Sequence, residues 1–239
     1  MDDIADALAR VRERIARAAE RAQRDPDSIR LVAVSKTKPA EDVRRAYLAG
    51  QRDFGENYVQ ELIEKAAELT DLSDLRWHLV GHLQRNKVKS ALDVLSCVHS
   101  LDSTRLAREL GKRAAALQSE RESPERLSVL VEVNVGGESQ KSGVAPAELG
   151  PLLETIEQEP ALRLAGLMAV PPQTPEPAES LPFFEELARL RERHGGAARL
   201  PELSMGMTHD LEFAIEAGAT IVRVGTAIFG LRNRTIPPE

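Results

Sequence analysis

A chain of 239 residues with 42% hydrophobic and 29% charged residues has the size and balance of one globular domain with a large buried core. Its net charge of -6 excludes a broad nucleic-acid or anionic-membrane surface, and an aromatic content of 3% leaves no stacking platform for single strands. The single cysteine, Cys97, excludes an intrachain disulfide and fits a reducing compartment.

The first segment predicts a helix over residues 2–24 packed on the domain. Ile4, Leu8, Val11 and Ile15 fall on one helical stripe, and Asp2 and Asp3 complement the positive end of the helix dipole. Five acids in this stretch (Asp2, Asp3, Asp6, Glu13 and Glu20) are foreign to a secretory signal or a transit peptide. No apolar run reaches the length of a membrane span, so the expected compartment is the cytoplasm.

Apolar runs downstream predict strands at 31–35, 52–55, 76–80, 96–100, 127–134, 163–168, 202–205 and 221–225. The run Leu127–Asn134, rich in β-branched residues, is the clearest buried strand. Helical patterns lie between the strands at 40–50, 57–69, 84–92, 103–118, 146–158, 182–194 and 209–217. Strands alternating with helices imply βαβ units and a parallel sheet, and eight of them favour a single (β/α)8 TIM barrel over 31–230, within one domain of residues 1–239. An open doubly wound sheet is the alternative, weakened because no Gly-x-Gly-x-x-Gly follows the first strand. Residues 119–126 form a charged loop. Prolines remove backbone donors from 171–178, which becomes a surface loop beside the active face, either a lid or a plain connection.

A parallel barrel gathers its strand ends at one rim, and polar or small residues end most of these strands. Lys36 closes the first and Asn57 follows the second. His78, Gly81 and His82 surround the end of the third, Asn134 closes the fifth and Met168 the sixth. Ser204 and Gly206 end the seventh; Arg223, Gly225 and Thr226 end the eighth. A lysine at an apolar rim offers a neutral amine that attacks an aldehyde; alternatively it snorkels outward or joins an ion pair. Gly206 and Gly225 let backbone N–H groups approach an anion, with hydroxyls from Ser204, Thr208 and Thr226, or they serve only tight turns. An amine and a phosphate cradle together describe an aldehyde that carries a phosphate, and pyridoxal 5'-phosphate fits. Arg223 can face a pyridine nitrogen as a fixed cation, or pair with Glu212 or Glu216. His78 and His82 span a strand and its turn with no third ligand in register, so no metal site is expected. The basic cluster Gln84–Lys89 opens a helix with a solvated face. No Gly-x-Ser-x-Gly elbow or Walker loop is present.

With these residues in place, the chain resembles the pyridoxal phosphate homeostasis protein family, also called the YggS/PROSC family. The resemblance rests on the runs Val32–Pro39, Phe54–Glu61 and Trp77–Lys87, then Val133-Asn134 with Glu138, Lys141 and Gly143. It continues through Gly166-Leu167-Met168, Leu203–Met207 and Val222–Gly230. These matches span residues 31 to 230 in the expected order. The resemblance implies an alanine racemase-type barrel (PLP fold type III) that holds pyridoxal 5'-phosphate as a Schiff base on Lys36. It also implies Arg223 at the pyridine nitrogen and Ser204, Gly225 and Thr226 at the phosphate. Members of the family look like carriers or buffers that keep cofactor available and amino-acid pools balanced, with PLP-dependent apoenzymes as recipients. Thr208 stands where the family usually has serine, and the proline-rich 171–178 segment is less standard. A PLP-dependent amino-acid racemase is the alternative reading, but that type adds a β-rich second domain and a tyrosine base. Nine residues follow Gly230, and the only tyrosines are Tyr47 and Tyr58. A monomeric binding protein without established turnover is therefore expected, with no metal, nucleic acid or membrane partner.

Overall fold

The computed structural model describes residues 3–119, 125–138 and 142–231. Its strands are β1 (Arg30–Val34), β2 (Asp53–Glu56), β3 (Arg76–Leu79), β4 (Leu95–Leu101), β5 (Leu127–Glu132), β6 (Leu162–Met168), β7 (Glu202–Ser204) and β8 (Ile221–Val224). Each pairs in parallel with the next, and β8 returns to β1, so the sheet is a closed barrel and not the open alternative. The helices are α1 (Ile4–Arg21), α2 (Ala40–Leu48), α3 (Val59–Glu68), α4 (Val88–Ala91), α5 (Thr104–Gln118), α6 (Leu149–Glu157), α7 (Leu181–Arg193), α8 (Gly196–Arg199), α9 (Leu211–Glu216) and α10 (Thr226–Phe229). The helix expected over 84–92 divides into a 3-10 turn at Arg85–Lys87 and α4. Asp2, residues 120–124 and Lys141 lie outside the described residues.

Alternation along the strands builds two apolar regions. Outward residues such as Ala33, Phe54, Val98, Val131 and Val222 join the buried helix faces in one continuous layer. Inward residues Val32, Cys97, Leu130, Ala165, Met168 and Ile221 form a smaller cluster inside the barrel. β6 breaks the period once. Val129 pairs with Leu164 but Leu130 pairs with Gly166, so Ala165 is an extra residue, and Gly166 takes φ +154. That bulge brings both Ala165 and Met168 inside although they are three apart.

The Asp3 carboxylate caps α1 by accepting from the Ala5 amide at 3.4 Å, and the predicted stripe of Ile4, Leu8, Val11 and Ile15 is buried. α1 packs against α2, α9 and α10, across the join of β8 and β1. Arg14 reaches from α1 to the Glu212 carboxylate at 2.8 Å and the Thr208 carbonyl at 2.9 Å. The 171–178 segment has no regular structure until a 3-10 turn at Pro177–Ser180 leads into α7. Among the described residues, no helix is long and apolar enough to cross a membrane.

Candidate functional site

Lys36 is half-buried in a turn directly after β1. The turn closes through the Lys38 amide, which donates to the Ser35 carbonyl at 3.0 Å. Thr37 adopts φ +62, a left-handed conformation that a β-branched side chain resists. It is held there because its amide donates to Glu61 Oε1 at 2.6 Å. Behind the turn, buried Lys65 of α3 donates from Nζ to the Ser35 carbonyl, Glu56 Oε1 and Glu61 Oε1, each at 2.7 Å. The Ser35 hydroxyl donates to the same Glu56 oxygen at 2.6 Å. Both neighbours of Lys36 are thus tied to one buried cluster of charge.

That cluster has two carboxylates and one ammonium, and among the described residues Glu56 Oε2 has no hydrogen-bond partner. Burial, with Glu61 across the shared ammonium, outweighs Lys65 and pushes the Glu56 carboxyl up to about 7 from an ordinary 4.5. The folded protein then holds a proton that the unfolded chain has released between those two values. Stability should therefore rise as pH falls through this window and level off below it, by at most about 3 kcal/mol. Urea unfolding between about pH 5 and about pH 7 checks this. Glu56→Gln should flatten the slope, and an equal slope in both proteins would refute the assignment.

The β8 end approaches Lys36 through its backbone. β1 and β8 pair Val32 with Arg223 and Ala33 with Val224, so Gly225 comes next to Val34. A Cβ on Gly225 would lie 2.9 Å from the Val34 carbonyl oxygen, which fixes glycine there. Gly206 takes φ +89, and a Cβ on it would meet Ala214 of α9 at 2.5 Å. Thr226 is exposed at the start of α10, while the Thr208 hydroxyl accepts from the Ala227 amide at 3.4 Å. Asn57 is half-buried after β2, with Gly81 folded tightly over its backbone: a Cβ on Gly81 would lie 2.3 Å from the Asn57 oxygen. Asn134 braces its own loop, donating to the Glu138 carbonyl at 2.9 Å.

Inside the rim the barrel is polar. Arg223 is 5% exposed; Nη1 donates to Ser204 Oγ at 2.7 Å and Nη2 to the Ala169 carbonyl at 3.0 Å. Burial lowers its pKa to about 10 from 12.5, against the opposing pull of Glu132 and Asp210. The alternative pairing with Glu212 fails, because that carboxylate belongs to Arg14. The Ser204 hydroxyl, expected at a phosphate, is turned inward between Arg223, from which it accepts, and His99, whose Nδ1 lies at 2.8 Å. Met168 is fully buried in the interior cluster beside this group.

His78 is likewise inside the barrel and not at the rim. Its Nε2 is 2.9 Å from Asp53 Oδ1, and its Nδ1 is 2.9 Å from His99 Nε2. His82 is exposed, with Nδ1 3.3 Å from Asp102 Oδ2. His99 and Asp53 were missed from sequence; His99 shares a strand face with Cys97 two residues away, the one available signal. The ligand-type atoms of His78, Cys97 and His99 lie within 4.8 Å of one another. Burial pushes the Cys97 thiol up to about 12, and the imidazole nitrogens are hydrogen-bonded to one another, to Asp53 and to Ser204.

The family whose sequence model is described as "Alanine racemase, N-terminal domain" matches residues 7–233. The pyridoxal phosphate homeostasis protein of Pseudomonas aeruginosa is 48% identical over 239 residues, covering 99% of both chains. PipY of Synechococcus elongatus, solved with PLP bound, is 40% identical with a TM-score of 0.78, covering 95% of this chain and 100% of that one. An alanine racemase from Corynebacterium glutamicum shares the fold at 18% identity and a TM-score of 0.66, over 98% of this chain and 63% of that one. Identity this high along nearly the whole length, on the same barrel, means that the chain belongs to the pyridoxal phosphate homeostasis protein family.

Proposed function

We propose that this protein binds pyridoxal 5'-phosphate at the C-terminal rim of its barrel, anchors it through Lys36, and serves as a carrier and buffer of the cofactor. The observation that carries the reading is the join of β1 and β8, which pairs Val32 with Arg223 and sets Gly225 against Val34, two residues before Lys36. The donor set suits the ligand. Lys36 supplies an amine, Gly206 and Gly225 allow close backbone approach to a phosphate, and Thr208 and Thr226 add hydroxyls. Arg223 supplies a buried cation hydrogen-bonded to a hydroxyl and a carbonyl. A guanidinium carries more donors than those two bonds use, so it can also donate to a ring nitrogen. Asn57 and Met168 complete the walls, and Ser204 takes the revised role of holding Arg223. PipY, with PLP bound, is a 40% identical relative on the same barrel, which supports the ligand assignment.

Bound here, pyridoxal phosphate would supply a reactive aldehyde carbon and an electron-withdrawing ring. Arg223 donates to the ring nitrogen without giving up its proton, which limits that withdrawal and favours holding the cofactor over carbanion chemistry. The racemase alternative wants a tyrosine base. Tyr47 is bonded to Asp74 beneath Arg52, and Tyr58 is exposed just before α3. We place the protein in the cytoplasm as a monomer that passes cofactor to PLP-dependent apoenzymes.

The test is the visible spectrum of the purified protein with pyridoxal phosphate, beside Lys36→Ala. A yellow band that borohydride removes is expected for the unaltered protein and not for the variant. Two colourless proteins would overturn the cofactor assignment, and an equal band in both would overturn the anchor.

A further inference from the structure

A continuous chain of side chains crosses the barrel interior. Arg223 Nη1 lies 2.7 Å from Ser204 Oγ, Ser204 Oγ 2.8 Å from His99 Nδ1, His99 Nε2 2.9 Å from His78 Nδ1, and His78 Nε2 2.9 Å from Asp53 Oδ1. It starts at the strand end beside the proposed cofactor site. It finishes at the first residue of β2, where Asp53 and His78 line a cavity of about 840 Å³ at the opposite face. His99 and Ser204 are fully buried, so no bulk water substitutes for a missing partner at those two links.

The ends dictate the direction of every bond. Arg223 can only donate. Asp53 can only accept while ionised. Burial opposes its charge, but hydrogen bonds from Arg76 and His78 outweigh that and hold it well below the usual carboxylate range. Burial, with the nearby Arg223 and Arg30 guanidinium groups, holds His99 well below the ordinary histidine value, so it is neutral. A neutral His99 donates through one nitrogen and accepts through the other. If His78 is also neutral, a single arrangement satisfies all four links: Arg223 to Ser204, Ser204 to His99 Nδ1, His99 Nε2–H to His78 Nδ1, and His78 Nε2–H to Asp53.

We infer that His99 is a positioning residue for Arg223, the middle link of a one-way hydrogen-bond chain, Arg223→Ser204→His99→His78→Asp53, that fixes the guanidinium as donor to the cofactor ring. The Ala169 carbonyl holds the other terminal nitrogen, so the guanidinium plane is pinned at two points. His99 touches no reacting atom; it sets the rotor of Ser204, and Ser204 sets Arg223. The role rests on the reading of Arg223 given above, whereas the tautomers do not depend on any ligand.

Two measurements separate the two readings. In the cofactor-free protein with 15N-labelled histidine, long-range 1H–15N spectra at neutral pH should show His99 and His78 both as Nε2–H tautomers with hydrogen-bonded Nδ1 acceptors. A His99 Nδ1–H tautomer, or an imidazolium at His78, would reverse the chain and overturn the inference. In the second, pyridoxal phosphate is titrated into His99→Leu and His99→Gln by absorbance. His99→Leu should bind about tenfold more weakly, with a shifted pH profile of the bound-cofactor band, and His99→Gln should recover part of the loss because its amide both donates and accepts. Equal affinity and an unchanged profile in His99→Leu would refute the positioning role. If His99→Leu does not fold, Ser204→Ala cuts the chain one link nearer Arg223. It should weaken binding similarly and move the His99 Nδ1 resonance, and neither change would refute the role. A colourless unaltered protein would instead sink the cofactor reading and leave the tautomer result to be judged by itself.

Discussion

Gly166→Ala should destabilise the protein by about 4 kcal/mol or more, a large part of the total stability of an ordinary domain. Two penalties coincide at this position. Its φ of +154 is one that side chains rarely adopt, and a Cβ there would lie 1.9 Å from the Glu202 carbonyl oxygen and 2.7 Å from its carbon. Those atoms are the backbone of β7, which pairs Glu202 with Gly166, so relief requires β6 and β7 to part. Parting them disturbs more than stability. The Ala169 amide donates to the Ser204 carbonyl at 3.1 Å, and the Ala169 carbonyl accepts from Arg223. A shift of β6 would therefore carry one anchor of the guanidinium with it. Gly218→Ala is the control: its φ of +99 is also positive, but a Cβ would meet nothing within 4 Å among the described residues, so only a backbone penalty of about 1 kcal/mol is expected. Urea unfolding of both variants checks the contrast. A Gly166→Ala protein within about 1 kcal/mol of the unaltered one would show that the bulge is not fixed by glycine.

The barrel was legible because its signals are local. β5 and β8 are dense in β-branched residues, and the stripe of Ile4, Leu8, Val11 and Ile15 declares α1. Strand limits fall within one or two residues of expectation for the same reason. The rim was legible as a set of strand ends, but the interior was not. His78 and Ser204 read as rim residues because each stands near the end of its strand; only pairing across the barrel reveals that both turn inward towards His99. His99 lies in β4 between Val98 and Ser100 and carries no motif, so nothing local distinguishes it from a packed core histidine. The Gly166 bulge was equally hidden, since an insertion in one strand is defined by its register with another. Lys65 did carry a faint signal. It stands with Leu62 and Leu69 on the helical stripe that faces the barrel, an unusual place for an ammonium.

Lys65→Met tests what that ammonium does. Methionine keeps most of the apolar stem but leaves Glu56 Oε1 and Glu61 Oε1 without their shared cation, and Glu56 is fully buried. Well above the Glu56 value of about 7, where both carboxylates are ionised, removing one partner from a buried charge cluster typically costs about 3–5 kcal/mol, because the remaining charge must be neutralised or exposed. The Lys65→Met, Glu56→Gln double variant should be more stable than Lys65→Met, since it removes the stranded carboxylate. Such non-additivity is the mark of direct coupling. The functional consequence follows from the same bonds. Lys65 holds the Ser35 carbonyl and positions Glu61, which in turn holds the Thr37 amide in its left-handed conformation. Without the ammonium, Thr37 should relax towards an ordinary φ, and Lys36 between them should lose its fixed direction. Amide exchange at Thr37 and Lys38 should accelerate under conditions where the barrel strands stay protected, and loading of pyridoxal phosphate should fall in parallel. A Lys65→Met protein that loses less than about 1 kcal/mol and keeps slow exchange at Thr37 would show that the turn holds Lys36 unaided.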